Sequence, residues 1–311
     1  MNKRTLIFSL MLITQAVFGQ KSEWIHFDWH GETIFGKRFD KIAMSIPLSV
    51  ENLPYKFCAQ FDMGATQTLF YGNALKNYPI AHLSSKLDSL KPYYLNGNKG
   101  DFLRSIDIKL DQKKFTNTDV AFIYNYGDEI PKDSINSKNQ QLIGTVAPDL
   151  FQNKYLIIDF PNQRIRTYDA LPQKYKKANF VDMIVRKGRI KIPLKVNNKT
   201  EYVMFDTGNC LGGLLLDKKS IAHFADSTQQ AKEFLTGKQW GKDFMMYQKE
   251  IKYDVFLNNR KMPIQYAQFT YYDDEVQFNK EENIVGLIGP LFFINDVVIV
   301  DYKNLKFGTL N

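Results

Sequence analysis

The sequence is poor in cysteine, and this shortage excludes several classes of protein. Its 311 residues include only two cysteines, Cys58 and Cys210, too few for the disulfide framework of a small secreted scaffold. Cysteine pairs at zinc-binding spacing and glycine-rich phosphate-binding loops are also missing from the sequence. We therefore expect no metal and no cofactor, and we expect both thiols to be buried and free.

Arginine is also scarce, although the chain is basic. The formal net charge is +8, from 41 Lys+Arg and 33 Asp+Glu, but only eight of the basic residues are arginines. The densest basic clusters, residues 174–177 and 186–189, are short. Nucleic-acid binding favours a continuous basic stripe with interleaved aromatic residues, which the sequence does not offer. A lysine-rich solvated surface is the better interpretation, and we expect no nucleic-acid partner.

Long apolar runs are absent except at the N terminus. Lys3 and Arg4 precede an almost uncharged apolar stretch, residues 5–18, and residues 17–19 offer small side chains at the two positions that a signal peptidase reads, just before Gln20. This pattern is typical of a secretory signal peptide over residues 1–19, too short to be a comfortable membrane span. Loss of Lys3 and Arg4 with this segment lowers the charge from +8 to +6. We expect an exported protein, periplasmic or extracellular, without a membrane span in the mature chain.

The remaining sequence repeats itself, because four landmarks recur in the same order in its two halves. Their offsets lie between 142 and 147 residues. We therefore predict two related domains, residues 20–170 and 171–311, joined near residues 168–182. The paired segments are residues 57–65 and 202–209, 105–110 and 252–257, 142–144 and 287–289, and 156–162 and 298–304.

Both halves have the pattern of a mainly β protein. Residues 42–48 and 190–196 alternate apolar and polar side chains with the period of half-buried strands. Asparagine pairs at 197–198 and 258–259 predict hairpin turns. Helical patterning is confined to short stretches, notably residues 74–90 and 220–235. The sequence therefore predicts a sandwich or barrel-like β architecture with few, short helices.

Each half carries an aspartate at the end of an apolar strand, with a glycine two positions later. These residues are Asp62 with Gly64 and Asp206 with Gly208. A carboxylate at such a turn can accept hydrogen bonds from backbone N–H groups, because glycine leaves the space open. Two such turns facing each other would bring their carboxylates together, so that the pair shares one proton. A water between them would meet a general base and a general acid, as amide hydrolysis requires.

The prediction depends on the presence of the motif in both halves of the chain. A single Asp-Thr-Gly triplet would be weak evidence, because it arises by chance in roughly one chain in twenty of this length. The motifs at residues 61–65 with 142–144, and 205–209 with 287–289, resemble those of the two lobes of pepsin-like and retroviral-type aspartic proteases. The resemblance covers essentially the whole mature chain. It implies a bilobal, mainly β fold with two pseudo-twofold-related barrel-like lobes, and a cleft in which Asp62 and Asp206 form the catalytic dyad.

The activity implied by this resemblance is that of an exported aspartic endopeptidase, which hydrolyses peptide bonds with water activated by the dyad. Its substrate would be a peptide or protein, and we expect a monomer that works best at acidic to mildly acidic pH. In the family, Thr or Ser follows each aspartate and braces the dyad across the two lobes. Gly64, Thr207 and Gly208 fit this supporting role.

Met63 departs from the family pattern, because methionine offers no hydroxyl group. Loss of one buried hydrogen bond typically costs about 1–3 kcal/mol, which would loosen the dyad without abolishing it. The departure keeps a second hypothesis open: a weak or inactive protease-fold protein that binds peptides or a partner protein. A third hypothesis is a purely structural envelope protein.

The family also closes a hairpin flap bearing a tyrosine over its substrate. Residues 91–100 have the matching position in the chain, and both Tyr93 and Tyr94 are candidates for that tyrosine.

Three polar residues near the start of the mature chain allow two interpretations, a metal site or the polar face of an edge strand. His26, Asp28 and His30 would share one face of a single strand. Because apolar residues alternate with them, an edge strand with a polar outer face is the favoured interpretation.

Overall fold

The computed structural model describes residues 23–95, 97–226, 228–239 and 242–311. Strands make up 51% and helices 12%, so the predicted mainly β fold is confirmed. The predicted signal peptide, residues 1–19, lies outside the described residues. The strands are, in chain order, β1 (Ile25–His26), β2 (Asp28–Ile34), β3 (Lys37–Val50), β4 (Phe57–Phe61), β5 (Leu69–Tyr71), β6 (Leu87–Leu95), β7 (Asn98–Leu110), β8 (Lys113–Ile123), β9 (Gln141–Val146), β10 (Tyr155–Asp159), β11 (Arg164–Tyr168), β12 (Asn179–Asp182), β13 (Ile184–Arg186), β14 (Arg189–Val196), β15 (Lys199–Phe205), β16 (Leu214–Leu216), β17 (Lys232–Gln239), β18 (Lys242–Glu250), β19 (Val255–Leu257), β20 (Arg260–Lys261), β21 (Tyr266–Phe269), β22 (Gly286–Ile288), β23 (Val297–Asp301) and β24 (Lys306–Leu310).

The helices are few and short, but the sequence predicted their positions poorly. Residues 74–90 contain only single helical turns before β6 begins, and residues 220–235 contain one 3₁₀ turn before β17. The prediction of helix was wrong for both segments, because pairing with neighbouring strands overrides a weak local preference for helix. No helix in the described residues is long and apolar enough to cross a membrane. The helices are α1 (Gly72–Leu75), α2 (Ala81–Ser84) and α3 (Asp273–Glu282), with 3₁₀ helices at Lys132–Ser134, Pro148–Leu150, Gln173–Tyr175, Ser220–His223 and Pro290–Phe293.

The longest helix within the described residues, α3, was not predicted from the sequence although it carries recognisable end signals. Three acidic residues, Asp273, Asp274 and Glu275, occupy its first turn, where negative charge is favourable near the helix N terminus. Asn283 ends it in the left-handed conformation with φ of 53°. Its apolar pattern is weak, so a search for amphipathic periodicity passes over it.

Three sheets build the fold, and two of them each belong to one half of the chain. An eight-stranded sheet, in the order β2-β3-β4-β9-β5-β8-β7-β6, uses strands within residues 28–146. A ten-stranded sheet, in the order β17-β18-β21-β16-β22-β15-β14-β19-β20 with β13 beside β14, uses strands within residues 184–288. The predicted hairpin turns at 197–198 and 258–259 are confirmed in this sheet, because they connect β14 to β15 and β19 to β20.

The third sheet joins the two halves. Its six strands follow the order β1-β11-β10-β23-β24-β12, and β10 pairs antiparallel with β23. Ile157 lies directly opposite Ile299, and both side chains are fully buried. These strands contain the last pair of repeated segments in the sequence. The two copies of that segment therefore lie side by side at the centre of the molecule.

Equivalent aromatic pairs support the two aspartate strands, β4 and β15. Phe61 packs edge to face against Phe151, with ring centroids 5.8 Å apart. Phe205 packs in the same manner against Phe293, at 5.5 Å. All four side chains are buried, so the strand ends that carry Asp62 and Asp206 rest on rigid apolar cores.

The repeated Ile-Gly segments have a structural role beside the aspartates. Strand β9 runs parallel to β4, and β22 runs parallel to β15. The backbone N–H of Asp62 donates to the carbonyl of Val146 at 2.9 Å, and that of Asp206 donates to the carbonyl of Ile288 at 3.0 Å. A side chain at Gly144 would overlap the carbonyl oxygen of Leu69. Glycine is therefore required there by the close approach of a neighbouring backbone.

We expect Gly144→Ala to destabilise the protein by about 1–3 kcal/mol, because the backbone around the added methyl group must move. Urea unfolding followed by tryptophan fluorescence measures this change. Thr116→Ala, at an exposed position of β8 in the same sheet, is the matched control and should change the midpoint little. Equal midpoints for Gly144→Ala and the parent would contradict the close approach.

Candidate functional site

The two aspartates hold their turns through backbone hydrogen bonds to their own side chains. Asp62 Oδ1 accepts the N–H of Gly64 at 2.8 Å and that of Ala65 at 3.1 Å. Asp206 Oδ1 accepts the N–H of Gly208 at 2.7 Å. The Asp62 carboxylate therefore has two backbone donors, whereas one is seen for Asp206. Charge on Asp62 is correspondingly better stabilised.

The two turns face each other and bring their carboxyl groups together. A Cβ atom on Gly64 would lie 2.5 Å from Cγ of Asp206, and one on Gly208 would lie 3.0 Å from Cγ of Asp62. Each carboxyl group thus packs on the glycine of the opposite turn. The two carboxyl groups are therefore close enough for Asp62 to change the acidity of Asp206. Two residues 144 positions apart in the sequence become direct neighbours.

This proximity changes the acidity of Asp206. Burial raises its pKa well above the ordinary value, and the negative charge of Asp62 raises it further. The N–H of Gly208 and the positive charge of Arg189 act in the opposite direction, with smaller effects. Because two adjacent carboxyls cannot both ionise easily, one proton is retained on the pair.

A hydroxyl group ties the Asp62 turn to the Asp206 turn. The Oγ1 of Thr207 accepts the backbone N–H of Met63 and donates to the carbonyl of Phe61, both at 2.9 Å. Thr207 and Met63 are fully buried. Because the thioether of Met63 cannot donate a hydrogen bond, its side chain cannot make the reciprocal contact. Of the supporting residues chosen from the sequence, Thr207, Gly64 and Gly208 all lie in direct contact with the opposite turn.

Both carboxyl groups open onto a pocket of about 280 Å³. Apolar side chains make up much of its wall, and Arg189 is also part of that wall. The Nε of Arg189 donates to the carbonyl of Gly64 at 2.6 Å. The lining residues are Asp62, Gly64, Ala65, Leu69, Leu95, Tyr126, Thr145, Arg189, Met204, Asp206, Phe278 and Leu287.

Arg189 is a site residue that the sequence analysis missed. It belongs to the basic cluster 186–189, which was interpreted as part of a solvated surface. That interpretation is wrong for Arg189, whose side chain is only 20% exposed. The available signal was its position directly before the alternating segment 190–196, whose first residue, Ile190, pairs with Phe205 at the end of the aspartate strand.

The hairpin of β6 and β7 distinguishes the two candidate tyrosines. The hydroxyl of Tyr93 is hydrogen-bonded to that of Thr66, just beyond the Asp62 turn, at 3.0 Å. Tyr94 points away and is 64% exposed, whereas Leu95 lines the pocket. Alternation of side chains along the strand explains why adjacent residues have opposite environments. Tyr93 therefore contacts the segment that follows the Asp62 turn, whereas Tyr94 faces solvent.

A tyrosine pair that the sequence analysis did not predict lies near Asp62. The rings of Tyr71 and Tyr126 pack edge to face, 5.3 Å apart. The hydroxyl of Tyr71 is hydrogen-bonded to Thr145 at 2.6 Å, and burial raises the pKa of Tyr71 to about 12. Burial and the nearby Asp62 raise the pKa of Tyr126 as well. Both phenols therefore stay neutral.

The cysteines do not join the site chemistry. Both Cys58 and Cys210 are free and buried, as the sequence predicts. Burial, with the negative charges of Asp206 and Asp62, raises the pKa of Cys210 to about 12. Its thiol therefore remains protonated and is a poor nucleophile.

His26, Asp28 and His30, near the start of the mature chain, do not share one face of a single strand. His26 belongs to β1 and His30 to β2, which lie in different sheets, so the expectation of one continuous strand was wrong. The chain changes sheets at Phe27, whose buried ring packs against the core. His26 instead pairs with Asp111 at 2.7 Å. Across the described residues there is no group of three or more His, Cys, Asp or Glu side chains that could hold a metal ion.

No protein-family model matches this chain, and no curated protein matches it in sequence. The functional argument therefore rests on the geometry and chemistry of the aspartate pair.

The shared proton predicts a specific dependence of stability on pH. Above pH of about 4 the unfolded chain releases the proton of Asp206 while the native state retains it. The native state then binds more protons, so stability falls as pH rises until Asp206 ionises in the native state as well. Asn carries no proton to lose, so Asp206→Asn removes this loss of stability. The difference in melting temperature between Asp206→Asn and the parent should therefore be a few degrees more favourable to the variant at pH 7 than at pH 3.

Differential scanning calorimetry at the two pH values measures this effect, with each variant compared with the parent at the same pH. Asp40→Asn is the control, since the side chain of Asp40 is 83% exposed. The same change in melting temperature for Asp206→Asn at both pH values would contradict a raised pKa.

Proposed function

We propose that this chain is an exported aspartic endopeptidase with a pepsin-like, bilobal fold. The observation that carries the proposal is the contact between the carboxyl groups of Asp62 and Asp206, each packed on the glycine of the opposite turn. The eight-stranded and ten-stranded sheets each contribute one aspartate turn, and the six-stranded sheet joins them. This arrangement supports an assignment of lobes to residues 20–170 and 171–311.

The hydrogen bonds assign different roles to the two carboxyl groups. Asp62, with two backbone donors, is the ionised member that takes a proton from water as general base. Asp206 is the protonated member and donates to the oxygen of the substrate carbonyl as that oxygen gains negative charge. The resulting tetrahedral diol carries the proton that Asp206 gave up, and Asp62 holds the proton taken from water. The diol collapses as Asp62 passes its proton to the leaving nitrogen and Asp206 takes a proton back from one of the hydroxyl groups. The pair ends with one proton and can begin the next cycle.

The pocket indicates which peptides would fit. Leu69, Leu95, Met204, Phe278 and Leu287 give it an apolar wall close to the carboxyl groups. An apolar side chain next to the cleaved bond would be removed from water there, which favours its binding. The hairpin that carries Tyr93 lies over the same pocket and would cover a bound peptide. We therefore propose cleavage beside large apolar residues.

We expect the purified protein to cleave unfolded protein substrates between pH 3 and 6 and to lose activity towards neutral pH, because the mechanism requires one proton on the pair. Mass spectrometry of the products locates the cleaved bonds, which should lie beside Leu, Phe or Met. Asp62→Asn and Asp206→Asn should each lower kcat by at least about 1,000-fold, in line with losses of an essential acid or base. Asp40→Asn serves as the control, and activity surviving in either dyad variant would overturn the proposal.

A second candidate function is peptide binding without cleavage, and Met63 is the observation that favours it. Its buried side chain occupies the position from which a hydroxyl would brace the Asp206 turn. Met63→Thr introduces the hydroxyl group. Met63→Val is the matched control, because valine has nearly the same shape as threonine but no hydroxyl group. Comparison of these two variants separates the effect of the hydroxyl from that of the lost volume.

We expect the parent to cleave peptides and Met63→Thr to be less than tenfold faster than Met63→Val, because a hydrogen bond of this kind contributes about 1 kcal/mol. Single-turnover assays on one peptide substrate give the comparison. Cleavage by Met63→Thr alone, with peptide binding but no cleavage by the parent, would support the binding protein instead.

A further inference from the structure

We propose that Arg189 is a positioning residue that ties the Asp62 turn to the C-terminal half and so compensates for the brace that Met63 cannot give to the Asp206 turn. The inference rests on the proposed function, since it concerns how the Asp62 turn is held for catalysis. It follows from three observations: what Arg189 contacts, what stands at the equivalent place in the other half, and what holds the arginine itself.

Arg189 and Thr207 hold the same turn from the same side. Thr207 bonds to the carbonyl of Phe61 and to the N–H of Met63, and Arg189 bonds to the carbonyl of Gly64. Backbone groups before and after Asp62 are thus fixed by two side chains from the C-terminal half. In a reciprocal arrangement each half would brace the other. Here a second contact from the same half compensates for the missing one.

The equivalent position in the N-terminal half cannot make such a bond. In β14 and β15, Lys191 lies opposite Met204, and in β3 and β4, Ser45 lies opposite Gln60. These are corresponding pairs, because Met204 and Gln60 each precede an aspartate by two residues. Two positions before Lys191 stands Arg189, and two positions before Ser45 stands Ala43. The methyl group of alanine has no hydrogen-bonding capacity, so the brace runs in one direction only.

The guanidinium group is held in place by its own partners. Its Nη1 lies 3.4 Å from Oε1 of Glu282, and its carbon lies 5.4 Å from the ring centroid of Phe278. Glu282 is buried and also pairs with Lys191 at 3.1 Å and with Arg186 at 3.7 Å. A planar fork can contact a carboxylate and a carbonyl at once, which a lysine cannot do in the same geometry. The last turn of α3 therefore fixes the brace.

The position of Arg189 also gives it an electrostatic effect on the pair. Its positive charge lowers the pKa of Asp206 and so opposes burial and the charge of Asp62. Cys210 also faces Asp206, but its thiol is neutral over the working pH range. Removal of Arg189 should therefore move the titration of the pair to higher pH, an effect that a purely structural residue would not have.

The test compares Arg189→Met with Arg186→Met in the full protein. Arg186 also pairs with Glu282, but its hydrogen bond and its ion pair are both made to α3 and not to the Asp62 turn. We expect Arg189→Met to lower kcat by roughly 10- to 100-fold, the loss typical of a slightly misplaced catalytic group, with KM changed less than threefold. The basic limb of its pH profile should move upward. Arg186→Met should keep the parent's kcat and pH profile.

A second pair of variants tests this compensation directly. In the Arg189→Met background, Met63→Thr should recover at least part of the lost kcat, and Met63→Val should not. A rise in KM at constant kcat for Arg189→Met would overturn the inference, because it would make Arg189 a substrate-binding residue. Equal losses in Arg189→Met and Arg186→Met would also overturn it, since the Glu282 cluster would then act through stability alone.

A measurement without substrate separates this inference from the proposed function. ¹³C NMR titration of the aspartate carboxyl carbons follows the pair in the parent, Arg189→Met, Arg189→Lys and Arg186→Met. We expect an upward shift in Arg189→Met, and little shift in Arg189→Lys, which keeps the charge and provides a second variant should Arg189→Met not fold. If the parent does not cleave peptides, the proposed function fails, yet this shift would still support the placement of Arg189. An unchanged titration in Arg189→Met would overturn the inference whether or not the parent is active.

Discussion

The contact between the two aspartate turns is the constraint on which the rest of the site depends. Asp62 and Asp206 can approach each other only because Gly64 and Gly208 leave room for the opposite carboxyl. The approach concentrates negative charge in a partly buried place, and retention of one proton resolves this conflict. Rigid apolar support under both strand ends and hydrogen bonds across the turns keep the two groups from moving apart.

The two halves repeat their framework but not their site chemistry. The aromatic supports, the Ile-Gly strands and the backbone bonds to each aspartate are nearly equivalent. The bracing contacts are not, because Thr207 and Arg189 both come from the C-terminal half. This asymmetry gives the two carboxyls different surroundings, with two backbone donors at Asp62 and one at Asp206. In the proposed mechanism that difference separates the base from the acid.

Local patterns predicted some elements well and others poorly. The alternation in residues 190–196 predicted β14, because each side chain there either packs on the core or faces outward. The apolar spacing of residues 74–90 suggested a helix, yet β6 begins within it because β7 and β8 provide partners for a sheet. Helix α3 had end signals but little amphipathic pattern, so sequence periodicity could not reveal it.

The sequence by itself determined the strand-rich character, the internal repeat and the pair of aspartates 144 residues apart, because each of these is written in local composition and spacing. Only the tertiary structure decided that Tyr93 and not Tyr94 contacts the segment after the Asp62 turn, that Tyr126 lines the pocket, and that Arg189 reaches Gly64. These are contacts between segments distant in sequence. Their existence depends on sheet register and on the direction of individual side chains, and neither leaves a periodic signal along the chain.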